Sequence, residues 1–174
     1  MRIEALRFYS TLRQETGQES SLSNRGALDS RLFTGIGDGM TDQEIRDTLK
    51  ESRNIAVVGL SPKESRPSFR VASYLKAQGY RIIPVRPGVD EILGEKAYPS
   101  LSDIPPDIQI DVVDIFRRPE EVPPIVEEAI MRKAKTVWMQ EGIVNEEAAQ
   151  KAEESGLRVV MDRCMLKEHQ YLAR

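Results

Sequence analysis

A chain of 174 residues, 40% apolar and 30% charged, can carry one α/β domain with a genuine core plus some extra sequence, but falls short of two full domains. Its net charge of −3, with acids and bases mixed throughout, argues against a general nucleic-acid binder, since such domains usually carry a broad basic face. One cysteine, Cys164, and one histidine, His169, exclude a disulfide framework, a thiolate zinc cluster and a multi-histidine metal site.

No apolar run approaches the roughly eighteen residues that span a bilayer, and the N-terminus lacks the apolar stretch of a secretory signal, so a cytoplasmic protein without a membrane partner is expected. Residues 1–40 read as an N-terminal extension, peripheral or disordered, because residues 20–39 are rich in Ser, Gly, Asp and Asn. The main domain is expected over 41–174. Thr41 and Glu44 form a capping box that opens a helix, with Ile45 and Leu49 on its buried face.

Residues 55–58 are a short β-branched run without alternation, as in a strand covered on both faces of a parallel sheet. Gly59 ends it, and Lys63 and Arg66 follow before Pro67 starts a helix that runs towards Gly79. A strand, a glycine turn, cations and a helix N-terminus in that order build an anion site. From Lys63 to Arg86 the chain carries six cations against one anion, a local charge of +5 in an otherwise acidic protein. The glycine turn is not G-x-G-x-x-G, and a lone glycine also ends many strands for geometric reasons alone.

Residues 81–85 form a second strand and complete a β-α-β unit. Residues 86–100, broken by Pro87, Gly88, Gly94 and Pro99, read as a long loop able to cover a ligand or simply lie on the surface. Residues 109–116 give a third strand, 120–133 a helix entered through prolines, and 136–140 a fourth strand. Asn145 caps another helix that Gly156 stops, and 157–161 give a fifth strand. Five strands alternating with helices predict a Rossmann-like three-layer fold with an open, mostly parallel five-stranded sheet, whose ligand site lies just beyond the strands' carboxyl ends.

Several residues read as structural. Trp138 lies in an apolar strand and belongs to the core, Cys164 reads as a small buried thiol, and His169 as a surface residue of the last helix. Asp111 and Asp114 face opposite sides of an extended strand, which excludes a catalytic pair and suggests a polar cap or hydrogen-bonded turn. Arg117 and Arg118 are placed to pair with Glu120 or Glu121. No catalytic residue is assigned.

The motifs V-V-G-L-S-P, S-R-P-S, Y-R-I-I-P-V-R-P, I-L-G, Y-P-S-L, D-V-V-D-I-F-R-R-P, W-M-Q-E-G-I-V-N and G-L-R-V-V-M-D-R-C follow one another from about Ile55 to Leu172. In this order they resemble the small stand-alone CoA-binding family of bacteria and archaea, related in fold to the nucleotide-binding N-terminal domain of the succinyl-CoA synthetase α subunit. The resemblance implies a Rossmann-like domain that binds coenzyme A. It puts Gly59, Leu60, Ser61 and Arg66 at the CoA diphosphate, with Lys63 in the same basic loop and Ser68 near the helix N-terminus. Val85 and Arg86 would lie along the adenosine side, where relatives are expected to carry Asn in place of Arg86. Phe116 and Arg117 match an F-R-x-P turn able to touch adenine or phosphate, and Gln140, Gly142 and Ile143 match a Q-x-G-I turn near the pantetheine arm.

Two functions remain open at this point. One is a binding module that holds CoA or an acyl-CoA as carrier, sensor or subunit without turnover. The other is an NADP-dependent reductase, or a CoA-ligase subunit needing a separate catalytic partner. Arg86 stands where an NAD site places an acid for the ribose hydroxyls, which disfavours NAD. A protein partner or a homo-oligomer is compatible with either reading.

Overall fold

In a computed structural model, the structure describes residues 39–172; the expectations for the extension fall outside them except at Gly39 and Met40. Helix α1 (Asp42–Glu51) starts at Thr41, whose hydroxyl accepts from Glu44 N–H while the Glu44 carboxylate accepts from Thr41 N–H. Strand β1 (Asn54–Val58) follows, then α2 (Pro67–Ala77) and β2 (Arg81–Val85). Short strands β3 (Glu91–Ile92) and β4 (Glu95–Lys96) precede β5 (Val112–Ile115), helix α3 (Val122–Met131) and strand β6 (Thr136–Met139). Helix α4 (Glu146–Glu154), strand β7 (Arg158–Val160) and helix α5 (Met165–Leu172) complete the order.

The main sheet is five-stranded and parallel at every pairing, in the order β2-β1-β5-β6-β7. The order reverses between β1 and β5, where connections leave in opposite directions and open a crevice at the strands' carboxyl ends. Alternate residues of each strand feed two cores. Ile55, Val57, Val112, Trp138 and Val160 pack with α1, α2 and α5, while Ala56, Val58, Val113, Ile115, Val137 and Met139 pack with α3 and α4. Trp138 is fully buried, as its strand position predicts, and its indole N–H donates to Arg163 O at 2.7 Å.

Three expectations are corrected. The 86–100 loop contains the β3–β4 hairpin, turned by Leu93 and Gly94 at positive φ and held to α2 by Lys76, which donates to Leu93 O at 2.6 Å and pairs with Glu95 at 2.7 Å. His169 is half-buried instead of lying at the surface: its Nδ1 shares a 3.0 Å hydrogen bond with Tyr74 Oη, and its ring meets Tyr74 and Tyr80 edge to face. Burial holds its pKa below the ordinary imidazole value. The third strand is shorter than 109–116 and spans Val112–Ile115, although Asp111 N–H still donates to Asn54 O and Asp111 O accepts from Thr136 N–H, each at 3.0 Å.

Asp111 is the polar cap its position suggested. Its carboxylate accepts from Arg53 and Asn54 N–H, each at 2.9 Å, and pairs with Lys135 at 2.7 Å. Burial opposes ionisation, but Lys135 and the two backbone donors outweigh it and lower the pKa. Asp114 is different. It is 0% exposed between Val57 and Trp138, with one oxygen accepting from Gln140 Nε2 at 2.7 Å and the other without a partner among the described residues.

Candidate functional site

Gly59 ends β1 at the reversal point with φ +85, a conformation that L side chains rarely adopt. An added Cβ would also stand 2.5 Å from Phe116 O and 2.8 Å from Arg117 Cδ. Glycine therefore lets the end of β5 fold across the end of β1. The following loop is pinned from inside, with Ser61 N–H donating to the Ser68 hydroxyl at 3.1 Å and Lys63 N–H to the Ser61 hydroxyl at 3.2 Å. This leads into α2, whose N-cap Arg66 makes no side-chain cap and whose first residue is Pro67. The helix's positive end is left facing the crevice.

A central cleft of about 370 Å³ gathers Gly59, Ser61, Lys63, Arg66, Ser68, Arg86, Phe116 and Arg117. Four cations line it and no carboxylate does. Among the described residues neither Lys63 nor Arg66 pairs with an acid, so an anion entering here meets uncompensated positive charge. Arg86 is anchored by donating to Leu60 O at 3.3 Å. Of the loop residues singled out from sequence, Leu60 stands apart: its side chain is fully buried in the core, and it offers the site its carbonyl.

Two further compartments adjoin the cleft. On the β2 side, about 360 Å³ is bounded by Val58, Val85, Arg86, Pro87, Pro99, Leu101 and the start of α3. On the β6 side, about 830 Å³ is bounded by Val71, Phe116, Gln140, Gly142, Ile143, Cys164 and Leu166, with Arg70 and Lys167 also lining it. The Q-x-G-I turn forming one wall is closed by Ile143 N–H donating to Gln140 O at 2.9 Å, and fixed to the end of β7 by Gly142 N–H donating to Asp162 at 2.7 Å. The compartments share lining residues and form one elongated groove, its middle lined by cations without a carboxylate and its two ends by more apolar wall together with charges of both signs.

A sequence profile of the CoA-binding domain matches residues 53–170, most of the described chain. The chain belongs to the CoA-binding domain family. It is 46% identical over 126 residues to the uncharacterized protein YneT of Bacillus subtilis, covering 72% of this chain and 92% of that one. A solved structure of a hypothetical protein from Pyrococcus horikoshii is 45% identical with a TM-score of 0.75, over 82% of this chain and 99% of that chain. An ADP-forming acetate–CoA ligase of Archaeoglobus fulgidus is 34% identical over 97 residues, 52% of this chain but only 14% of the ligase. These relatives support the Rossmann-like fold read from the strand pattern.

Sequence reasoning on this CoA-binding domain missed the contributions of α5 and α3. Cys164, expected as a buried thiol, is half-exposed and borders the larger chamber beside Leu166 and Lys167. Glu121 pairs with Arg117 at 3.3 Å and borders the β2-side compartment. The F-R-R-P-E-E spacing signalled the ion pair and the F-R-x-P turn put Arg117 at the site, but nothing in the pattern showed that Glu121 would stand at the groove with it. Among the described residues no helix is long and apolar enough to cross a membrane, and no cluster of His, Cys, Asp and Glu is suited to a metal.

Proposed function

We propose that the groove holds CoA or an acyl-CoA in a cytoplasmic carrier, sensor or subunit that performs no turnover of its own. The observation that carries this reading is the cationic cleft at the β1–β5 reversal, continuous on both sides with less polar compartments. A diphosphate would lie against Gly59, Ser61, Lys63, Arg66 and Ser68, where α2 begins. The adenosine end would run along Val85 and Arg86, and the pantetheine arm past Phe116 towards Gln140, Gly142 and Ile143. Arg117 stands where it can reach either phosphate or adenine.

The test is calorimetry of the isolated chain with CoA and NAD at matched salt. CoA binds more tightly, because the groove is cationic and Arg86 occupies the place of the ribose-binding acid. Equal or tighter binding of NAD overturns the reading. Native mass spectrometry of protein purified without added ligand would identify any acyl group it carries.

A second reading, a ligase subunit, is favoured by the resemblance to a segment of an ADP-forming acetate–CoA ligase. It requires a separate catalytic polypeptide, and ligase activity appearing only with a co-purified partner would establish it. The NADP-reductase alternative rests on Arg86 alone, and NADPH oxidation by the isolated chain tests it.

A further inference from the structure

Among the described residues, Arg117 is the one that borders all three compartments of the groove. It lies across the end of β1, its Cδ so close to Gly59 that a Cβ there would collide with it. It is also tied back. Its Nη2 sits 3.3 Å from Glu121 Oε1, whereas Lys63 and Arg66, on the other side of the cleft, have no carboxylate partner among the described residues. Glu121 lies one turn along from Arg117, on the 3-10 turn Pro119–Glu121 that leads into α3. Partial desolvation opposes its ionisation, but the Arg118 N–H and the Arg117 charge hold its carboxyl below the ordinary carboxylate range. It is ionised at neutral pH and stands beside a pocket that attracts anions.

We propose that Glu121 is a specificity-determining residue that competes with the ligand's phosphates for the Arg117 guanidinium, and so acts as a brake on phosphate-bearing ligands. This rests on the functional reading above and deepens it. A phosphate entering the central cleft draws Arg117 towards itself and must displace a carboxylate to do so. A ligand fragment without phosphates makes no such demand. The brake is weak because the pair is partly exposed: exposed ion pairs alter equilibria by factors of a few.

The structure also provides a clean variant. Glu121 Oε2 accepts from Arg118 N–H at 3.3 Å, which caps the turn, and from Arg118 Nε at 3.4 Å. Glu121→Gln removes the charge while its amide oxygen can still accept that bond. Glu120 borders the same compartment and shares Arg118 with Glu121 but, among the described residues, makes no pair with Arg117, so it supplies a control of equal charge change.

The experiment measures CoA and pantetheine affinities by calorimetry for the parent, E121Q, E120Q, R117A and R117A/E121Q. The expected result is that E121Q binds CoA roughly two- to fivefold more tightly at low salt, with the gain fading at high salt and pantetheine affinity unchanged. E120Q shows a smaller gain, and E121Q adds nothing in the R117A background. Unchanged or weaker CoA binding by E121Q overturns the inference, as does an equal gain in E120Q or in the R117A background. If the parent itself fails to bind CoA, the functional reading falls first and this inference falls with it.

Discussion

Asp114→Asn tests the least expected feature of the core. The carboxyl is fully buried, one oxygen accepts from Gln140 and the other has no partner among the described residues, and burial, only partly offset by the Gln140 hydrogen bond, pushes its pKa from 3.8 to about 7. An unfolded chain would ionise this group near its ordinary value. Between the two values the folded state therefore holds the extra proton, and stability falls as pH rises from near 4 towards about 7, then levels off. At 1.36 kcal/mol per unit the full penalty is on the order of 4 kcal/mol, with roughly two-thirds of it falling between pH 5 and pH 8. Asparagine keeps the shape and an oxygen for Gln140 but cannot ionise. Its amide N–H group takes the place of the unpartnered oxygen, which costs about 1 to 3 kcal/mol. Urea unfolding should show D114N gaining on the parent by on the order of 2 to 3 kcal/mol as pH rises from 5 to 8. His169 pulls the other way. Burial disfavours its charged form and lowers its pKa, so its contribution is lost as pH falls below the ordinary imidazole value, and the difference between variant and parent is the quantity to follow. A constant difference across that pH range would show that Asp114 is ionised, or solvated, in the folded protein.

Arg66→Ala should weaken CoA binding on the order of 10- to 100-fold, the value of a charge-assisted hydrogen bond, with little change in Tm, while Arg81→Ala, at the opposite end of the sheet, should leave affinity near the parent's. Loss of affinity through unfolding, or no loss at all, would remove Arg66 from the phosphate site. Gly59→Ala should destabilise the protein by about 1 to 3 kcal/mol and abolish CoA binding, since the positive φ and the contacts with Phe116 and Arg117 leave no room for a methyl group. A stable G59A variant with parental affinity would refute the close approach of β1 and β5. Removing residues 1–40 should keep cooperative unfolding and CoA affinity; loss of either would make the extension part of the domain.

The alternation of strands and helices was legible because the apolar runs are bounded by unambiguous punctuation: Gly59, Pro67, Gly79, Asn145 and Gly156 mark ends that the structure keeps within a residue or two. The groove was legible for the same reason, since residues just after parallel strands gather at one end of the sheet. What escaped notice depends on contacts between distant segments. The β3–β4 hairpin has two-residue strands and a leucine in the turn, too little pattern for periodicity to register, and it is held by Lys76 from another helix. The inward setting of His169 is fixed by Tyr74 and Tyr80, and Cys164 is half-exposed at a chamber lined by segments far apart in sequence, Val71, Phe116 and Gln140 among them. Asp111 and Asp114 look alike in sequence, yet Lys135 and two backbone donors reach only the first.

The two margins of the sheet differ from its middle in a way that bears on solubility. A parallel sheet with a bare outer strand offers a row of unpaired amides and carbonyls to any neighbouring chain, and is a seed for aggregation. Here the outer strand β2 contains Pro84, which has no amide to offer, and the segment after the hairpin lies along it: Tyr98 N–H donates to Pro84 O at 2.9 Å, and Arg86 N–H to Tyr98 O at 2.7 Å. The other margin, β7, is only three residues long and begins with Arg158, held to Glu51 and Thr48 of α1. Neither side presents a long, flat template, so association through the sheet edges is disfavoured and contacts with other proteins are left to the helical faces and the mouth of the groove.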